Sequence, residues 1–213
     1  MRIVAGSLRG KRLVAPEGEG VRPTADRTRE ALFGILEGGR MTGGVSPLPG
    51  ARVLDAFAGT GALGLEALSR GAGQVDFLER YAPALSALRS NVAALDATEA
   101  CRVHDRDVLH PPQAEAPADL VLLDPPYNQG LARPALEALV RAGWIGQQTL
   151  ICLEMLKSED PALPSAFALL DERKYGKAKL CFLRLEALSP TGERPAEGSG
   201  SGSPDLARRA SGA

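Results

Sequence analysis

The stretch "RVLDAFAGTGALGLEALSRGA", residues 52–72, passes from an apolar, β-type run (Arg52–Phe57) through a glycine turn into a helical pattern over Ala62–Ser69. Gly59, Gly61 and Gly64 complete a G-x-G-x-x-G series. In a strand–turn–helix unit such glycines let a cofactor lie against the turn, where a side chain would collide with it. A purely structural tight turn carries the same pattern, so the rest of the chain has to decide between the two.

Outward from this unit the chain alternates between two periods. β-rich runs at Arg52–Phe57, Gln74–Glu79, Cys101–Asp107, Leu120–Asp124 and Thr149–Met155 are separated by helical patterns at Ala62–Ser69, Ala82–Leu95 and Pro134–Ala142. This alternation predicts an α/β fold with a parallel sheet covered on both faces. Two further runs, Ala168–Tyr175 and Lys179–Ala187, are joined by Gly176-Lys177 with no room for a helix. They are expected to form an antiparallel hairpin, bringing the sheet to seven strands. Upstream, two short strands (Arg2–Ala5 and Lys11–Ala15) flank Gly6–Gly10, and a helix is expected next, capped near Thr24 or Asp26. The expected domains are a basic hairpin-and-helix extension over 1–40, the α/β body over 41–188 and a Gly/Ser/Pro-rich tail over 189–213. That tail lacks the apolar surface to offset its ordering entropy and is expected to be disordered.

The acids around the glycine turn indicate the kind of cofactor. Glu79 ends the second strand eighteen residues beyond Gly61, where a carboxylate can accept both ribose hydroxyls of an adenosine group. Asp55 precedes the first glycine. A pyrophosphate prefers helix-end N–H groups without negative charge nearby. A carboxylate there suits a cofactor with a positive end, such as the ammonium and sulfonium of S-adenosyl-L-methionine. Asp107, ending the third strand, is the candidate acceptor for the adenine amine, with Asp105 competing for that role.

The fourth strand runs into Asp124-Pro125-Pro126-Tyr127. In an open parallel sheet, ligands sit beyond the carboxyl ends of the strands near the switch in strand order. An exocyclic amine on a nucleobase is a poor nucleophile because its lone pair is delocalised into the ring. Asp124 and the Pro125 carbonyl could accept its N–H groups and offset the positive charge growing on nitrogen. The prolines fix the carbonyl directions and offer no competing N–H. Tyr127 could stack on a base drawn out of its helix.

The charge distribution suggests the partner. The formal net charge is −1, but before Glu30 seven basic residues face three acids. Arg9, Lys11, Arg12 and Arg22 are placed to meet an RNA backbone, with Arg27 and Arg29 open between RNA contact and internal ion pairs. Cys101, Cys152 and Cys181 are far apart, and two of them lie inside apolar runs, as small core residues do. His104 and His110 are not arranged for a metal, and none is expected. There is no run of about 18 apolar residues to span a membrane, so the expected location is cytoplasmic.

The sequence resembles a known family. Asp-Pro-Pro-Tyr after an apolar strand is similar to the amino-group methyltransferases acting on adenine N6, cytosine N4 or guanine N2. More narrowly, Arg2 to about Leu188 resembles the bacterial 16S rRNA guanine-N2 methyltransferases of the small ribosomal subunit. The shared segments are "RIVAGSLRGKRL" (2–13), "RPTADRTREALFGIL" (22–36), "LDAFAGTGALGLEALSRGA" (54–72), "LLDPPYNQGL" (122–131) and "KYGKAKL" (174–180). The resemblance implies a Rossmann-like, S-adenosylmethionine-dependent methyltransferase fold. It further implies methylation of guanine 966 of 16S rRNA, recognised within the small subunit or an assembly intermediate by a monomer. By position, the family motif falls on Asp124, Pro125, Pro126 and Tyr127, the cofactor loop on Asp55, Gly59 and Gly61, and the ribose acid on Glu79. Gly34 stands where the family usually has asparagine, and Thr28 where an aliphatic residue is common. Two competing readings are a DNA adenine-N6 methyltransferase and a nicotinamide-dependent oxidoreductase. The first lacks a separate target-recognition region. The second is weakened by Asp55 and by the lack of a Tyr–Lys or histidine acid–base pair.

Overall fold

The computed structural model describes residues 1–16 and 23–186. Its elements are α1 (Pro23–Glu37), β1 (Arg52–Ala56), α2 (Ala62–Ser69), β2 (Gln74–Glu79), α3 (Ala82–Ala94) and β3 (Cys101–Asp105). They continue with β4 (Leu120–Leu123), α4 (Ala132–Arg141), β5 (Leu150–Leu156), β6 (Phe167–Tyr175) and β7 (Ala178–Leu185). One seven-stranded sheet has the order β3-β2-β1-β4-β5-β7-β6. The first five strands are parallel, and β7 runs antiparallel to both β5 and β6. The expected α/β architecture with its antiparallel hairpin is therefore what the chain forms. The strand order reverses between β1 and β4, and that reversal opens a crevice beyond their carboxyl ends.

The parallel strands are buried on both faces, so they read as continuous apolar runs. On one face Val53, Phe77, Leu122 and Cys152 pack beneath α1, α2 and α3. On the other, Leu54, Leu123, Ile151 and Leu183 pack beneath α4 and Trp144. All three cysteines are free and buried, as small apolar residues would be.

The amino-terminal segment departs from its expected form. Its two strands reduce to a single antiparallel bridge, Arg2 to Arg12, flanked by Ile3 N–H to Lys11 O (3.0 Å) and Leu13 N–H to Met1 O (3.0 Å). The turn between them is pressed onto the end of α2: a Cβ on Gly6 would stand 1.8 Å from the Ser69 carbonyl oxygen. Helix α1 begins at Pro23, ahead of both expected caps, so Thr24 and Asp26 lie inside its first turn. Proline suits that first position because its absent N–H would have no helical partner. The segment is no separate unit, since Ile3, Leu13, Leu32, Phe33 and Leu36 belong to the core of the first sheet face.

A buried acid fastens it there. Glu66 of α2 accepts from the backbone N–H groups of Val4 (2.8 Å) and Ala5 (3.0 Å), pairs with Arg70 at 2.8 Å and lies 3.8 Å from Arg29. Asn91 of α3 adds a second tie. It accepts from Val14 N–H (2.7 Å) and donates to the carbonyls of Val14 (3.0 Å) and Thr60 (2.9 Å), joining the extension to the glycine turn. The expected disordered tail, 189–213, lies outside the described residues.

Candidate active site

The glycine turn leaves β1 through Phe57, whose φ of 62° is left-handed, then Gly59 (φ +54°) and Gly61 (φ +81°). Holding a non-glycine residue there costs about 1–3 kcal/mol and marks a turn fixed by its surroundings. The three glycines meet different surroundings. A Cβ on Gly64 would meet Phe77 at 2.4 Å and Val75 at 2.7 Å, and one on Gly61 would meet Leu88 at 2.4 Å. Gly64 is required by the close packing of α2 on β2, and Gly61 by its left-handed φ and the approach of Leu88 from α3. Only Gly59 has nothing within 4 Å of its missing side chain, so only Gly59 borders open space.

Four carboxylates face this turn. Because side chains alternate along a strand, Val53, Phe77, Leu122 and Cys152 set the face on which Asp55, Glu79, Asp124 and Glu154 also lie. A face that is apolar along its length thus ends in a row of acids across β2, β1, β4 and β5. Glu79 is anchored: one oxygen accepts from Gly59 N–H (2.8 Å), the other from Arg80 N–H (2.8 Å) and Tyr81 N–H (2.7 Å). Asp55 is buried; its Oδ2 accepts from Gly64 N–H (2.8 Å), and its Oδ1 has no partner among the described residues. Burial raises its pKa to about 8, with the Gly64 hydrogen bond opposing and the Glu79 charge adding to the rise.

Beyond β4, Pro125 keeps Asp124 extended, because proline excludes the helical region for the residue before it. Asp124 presents accessible surface, yet protein surrounds it closely, as for a group in the wall of a cleft. Loss of solvation, then the charges of Glu154 and Asp55, push its pKa well above the usual carboxylate range. Tyr127 donates its hydroxyl to Glu154 Oε1 at 2.8 Å. Glu154 is itself raised by desolvation, which the Tyr127 hydrogen bond partly offsets. One residue on, Asn128 (φ 59°) donates its N–H to Glu159, which also accepts from Leu156 N–H (2.8 Å). The 124–128 loop is therefore held at two points by β5 and its exit.

Glu154 was not among the residues expected from sequence. Its signal was available: a lone acid within the apolar run "LICLEML" of β5. Asp107 lies past the end of β3, where it accepts from Leu109 N–H (2.9 Å) and pairs with Arg80 at 2.6 Å. Asp105 ends β3 opposite Glu79. Of the basic set, Arg9, Lys11, Arg12 and Arg27 are exposed and carry no ion pair among the described residues, while Arg22 lies outside those residues. Arg29 requires a correction. It is buried, donates to the Arg2 carbonyl at 2.8 Å and approaches Glu66, so it serves the interior and is not on an RNA-facing surface.

The family model described as conserved hypothetical protein 95 matches residues 1–184. The chain belongs to that family. Ribosomal RNA small subunit methyltransferase D of Escherichia coli (strain K12) is 34% identical to it over 188 residues, covering 88% of this chain and 91% of that one. The protein of the same name from Haemophilus influenzae is 36% identical over 180 residues, covering 83% and 89%. A solved Escherichia coli chain described as a methyltransferase aligns with a TM-score of 0.73 at 34% identity, covering 88% of this chain and 98% of that one. The fold is thus the Rossmann-like methyltransferase fold. Since the family match runs from Met1 almost to the end of β7, the amino-terminal extension is part of what the family shares.

Proposed function

We propose that the chain is an S-adenosylmethionine-dependent rRNA methyltransferase that modifies the exocyclic N2 amine of a guanine, guanine 966, in 16S rRNA of the small ribosomal subunit. The observation carrying this reading is the buried Oδ1 of Asp55, without a partner among the described residues, at the end of β1, with Gly59 and its open space four residues on and Asp124-Pro-Pro-Tyr at the end of the neighbouring strand. A row of carboxylates with an unused acceptor matches a cationic cofactor and repels a dinucleotide pyrophosphate. Asp55 would hold the ammonium end, Glu79 the ribose, and Asp105 or Asp107 the adenine amine. When bound, the cofactor supplies a methyl group with a neutral thioether as leaving group, and the amine gives up one proton in exchange.

The chain's own residues orient the other reactant. Asp124 and the Pro125 carbonyl accept N–H groups of the amine, turning its lone pair toward the donor and stabilising the charge that develops on nitrogen. Tyr127, its ring fixed through Glu154, offers a stacking face to a base removed from its helix. Arg9, Lys11, Arg12, Arg22 and Arg27 would meet phosphates of the surrounding RNA. The name that the Escherichia coli and Haemophilus influenzae relatives share supports rRNA of the small subunit as the substrate.

The test is transfer of labelled methyl to small-subunit particles, naked 16S RNA and duplex DNA in parallel. Product on guanine N2 in particles is expected, located by mass spectrometry. Incorporation into adenine of DNA, with none into particles, would sink the proposal. Binding of a nicotinamide cofactor with no affinity for S-adenosylmethionine would overturn the cofactor assignment.

A further inference from the structure

An Asp-Pro-Pro-Tyr loop alone does not distinguish one nucleobase amine from another. The neighbouring strand offers a residue that can. Leu123 of β4 stands opposite Leu153 of β5, so the parallel register continued by one residue sets Asp124 beside Glu154. Pro125 keeps the chain extended through Asp124, which preserves that register. Adjacent strands lie about 4.8 Å apart, and both side chains leave the sheet on the same face. Glu154 is only half-buried, and Tyr127 occupies only its Oε1. Its Oε2 receives no hydrogen bond among the described residues. The site therefore presents a second, oriented acceptor next to Asp124.

We infer that Glu154 selects guanine by accepting its ring N1–H while Asp124 and the Pro125 carbonyl receive the neighbouring N2 amine. The inference rests on the guanine-N2 reading above. The chemistry is specific because the ring atom beside the amine differs among the bases. In guanine, N1 carries a hydrogen. In adenine and cytosine the ring nitrogen between the amine-bearing carbon and the rest of the Watson–Crick edge carries a lone pair. A carboxylate at that position bonds the first base and repels the other two. Burial raises the pKa of Glu154, and the Tyr127 hydroxyl opposes that rise while holding the carboxylate in place. Glu154 thus acts on base choice, and Asp124 on the amine common to all three bases.

The test uses two synthetic RNAs differing only at the target position: guanosine, or 2-aminopurine riboside, which keeps the N2 amine but has a lone pair at N1. The wild-type protein should favour guanosine in kcat/KM by about tenfold to a hundredfold, the range for one specific base contact. In Glu154→Gln and Glu154→Ala, the preference should fall to within about threefold, mainly through lost guanosine transfer. Titration of 2-aminopurine fluorescence without cofactor should show tighter binding to Glu154→Gln than to wild type. Calorimetry should show unchanged cofactor affinity in both variants. A residue that only kept the loop in shape would lower both RNAs in parallel, so a wild-type ratio in Glu154→Gln overturns the inference while leaving guanine-N2 transfer standing. A wild-type protein that methylates no guanine overturns both.

Discussion

Replacing Asp55 with asparagine should flatten the loss of stability that the ligand-free protein suffers as pH rises, and should remove cofactor binding. Asp55 titrates near 8 when folded, against 3.8 for an ordinary aspartate. The folded-state value is the higher one, so its contribution to stability is complete below about pH 3.8 and is lost as pH climbs to about 8. Each pH unit in that window removes roughly 1.4 kcal/mol, so the loss from pH 5 to pH 8 is roughly 4 kcal/mol. The side chain is 1% exposed, so solvent screening gives little relief. An asparagine keeps the acceptor for Gly64 N–H but buries an unpartnered amide, at a pH-independent cost of about 1–3 kcal/mol. The difference in unfolding free energy should therefore move toward the variant by roughly 4 kcal/mol between pH 5 and pH 8. Urea unfolding followed by circular dichroism at unit pH steps reads this directly; Glu154 titrates in both proteins, while Asp124 loses in the variant the smaller part of its rise that the Asp55 charge causes. Cofactor affinity should rise with pH in the wild type, by up to about tenfold per unit below pH 8, because the cation selects the ionised carboxylate. Parallel stability curves for the two proteins would refute the reasoning.

Asp124→Ala should abolish methyl transfer and leave cofactor affinity close to wild type by calorimetry, because its carboxylate faces the amine. Gly64→Ala should lower stability by about 1–3 kcal/mol through collision with Phe77 and Val75, read from the urea midpoint. Gly59→Ala meets no atom within 4 Å but must hold a left-handed φ of +54°, so it should cost about 1–2 kcal/mol of stability and weaken cofactor binding further. Glu66→Ala should cost about 3–5 kcal/mol, since it removes the buried acid that Arg29 and Arg70 approach and the acceptor of two backbone N–H groups, and hydrogen exchange at Val4 and Ala5 should accelerate. Gly34→Ala, on an exposed turn of α1 with free space around it, should raise stability by about 1 kcal/mol in the same urea assay.

The strands and helices of the body were legible because their periodicities are local, and Gly59 to Gly64 marks the turn within six residues. The acids at strand ends were legible for the same reason: Asp55, Glu79 and Asp124 each close an apolar run. What escaped was carried by distant partners. Glu66 meets Val4 and Ala5 more than sixty residues away, and Asn91 meets Val14 across 77. Nothing near either residue announces those bonds, although one acid inside the apolar helix "ALGLEALS" is a clue to a buried charge pair. Arg29 shows what local charge leaves undecided. Its basic neighbours kept RNA contact open beside an internal ion pair, and its position in α1 turns it inward toward Glu66. The meaning of the glycines was likewise hidden, since only the packing of α2 on β2 and of Leu88 of α3 on the turn separates the two that are crowded from the one that borders open space.

The ties made by Glu66, by Asn91 and by Ser69, whose hydroxyl accepts from Leu8 N–H at 2.9 Å, bear on how this family can be recombined. Residues 1–40 look like a detachable module in a linear map, and exchanging them between relatives would be the obvious way to transplant RNA preference. Yet their backbone is received by side chains of α2 and α3 that belong to the α/β body, and one of those side chains also holds the Thr60 carbonyl of the glycine turn. A transplanted extension needs its matching sockets at 66, 69 and 91. Without them, a chimera would disturb the turn proposed to hold the methyl donor as well as the surface proposed to meet RNA.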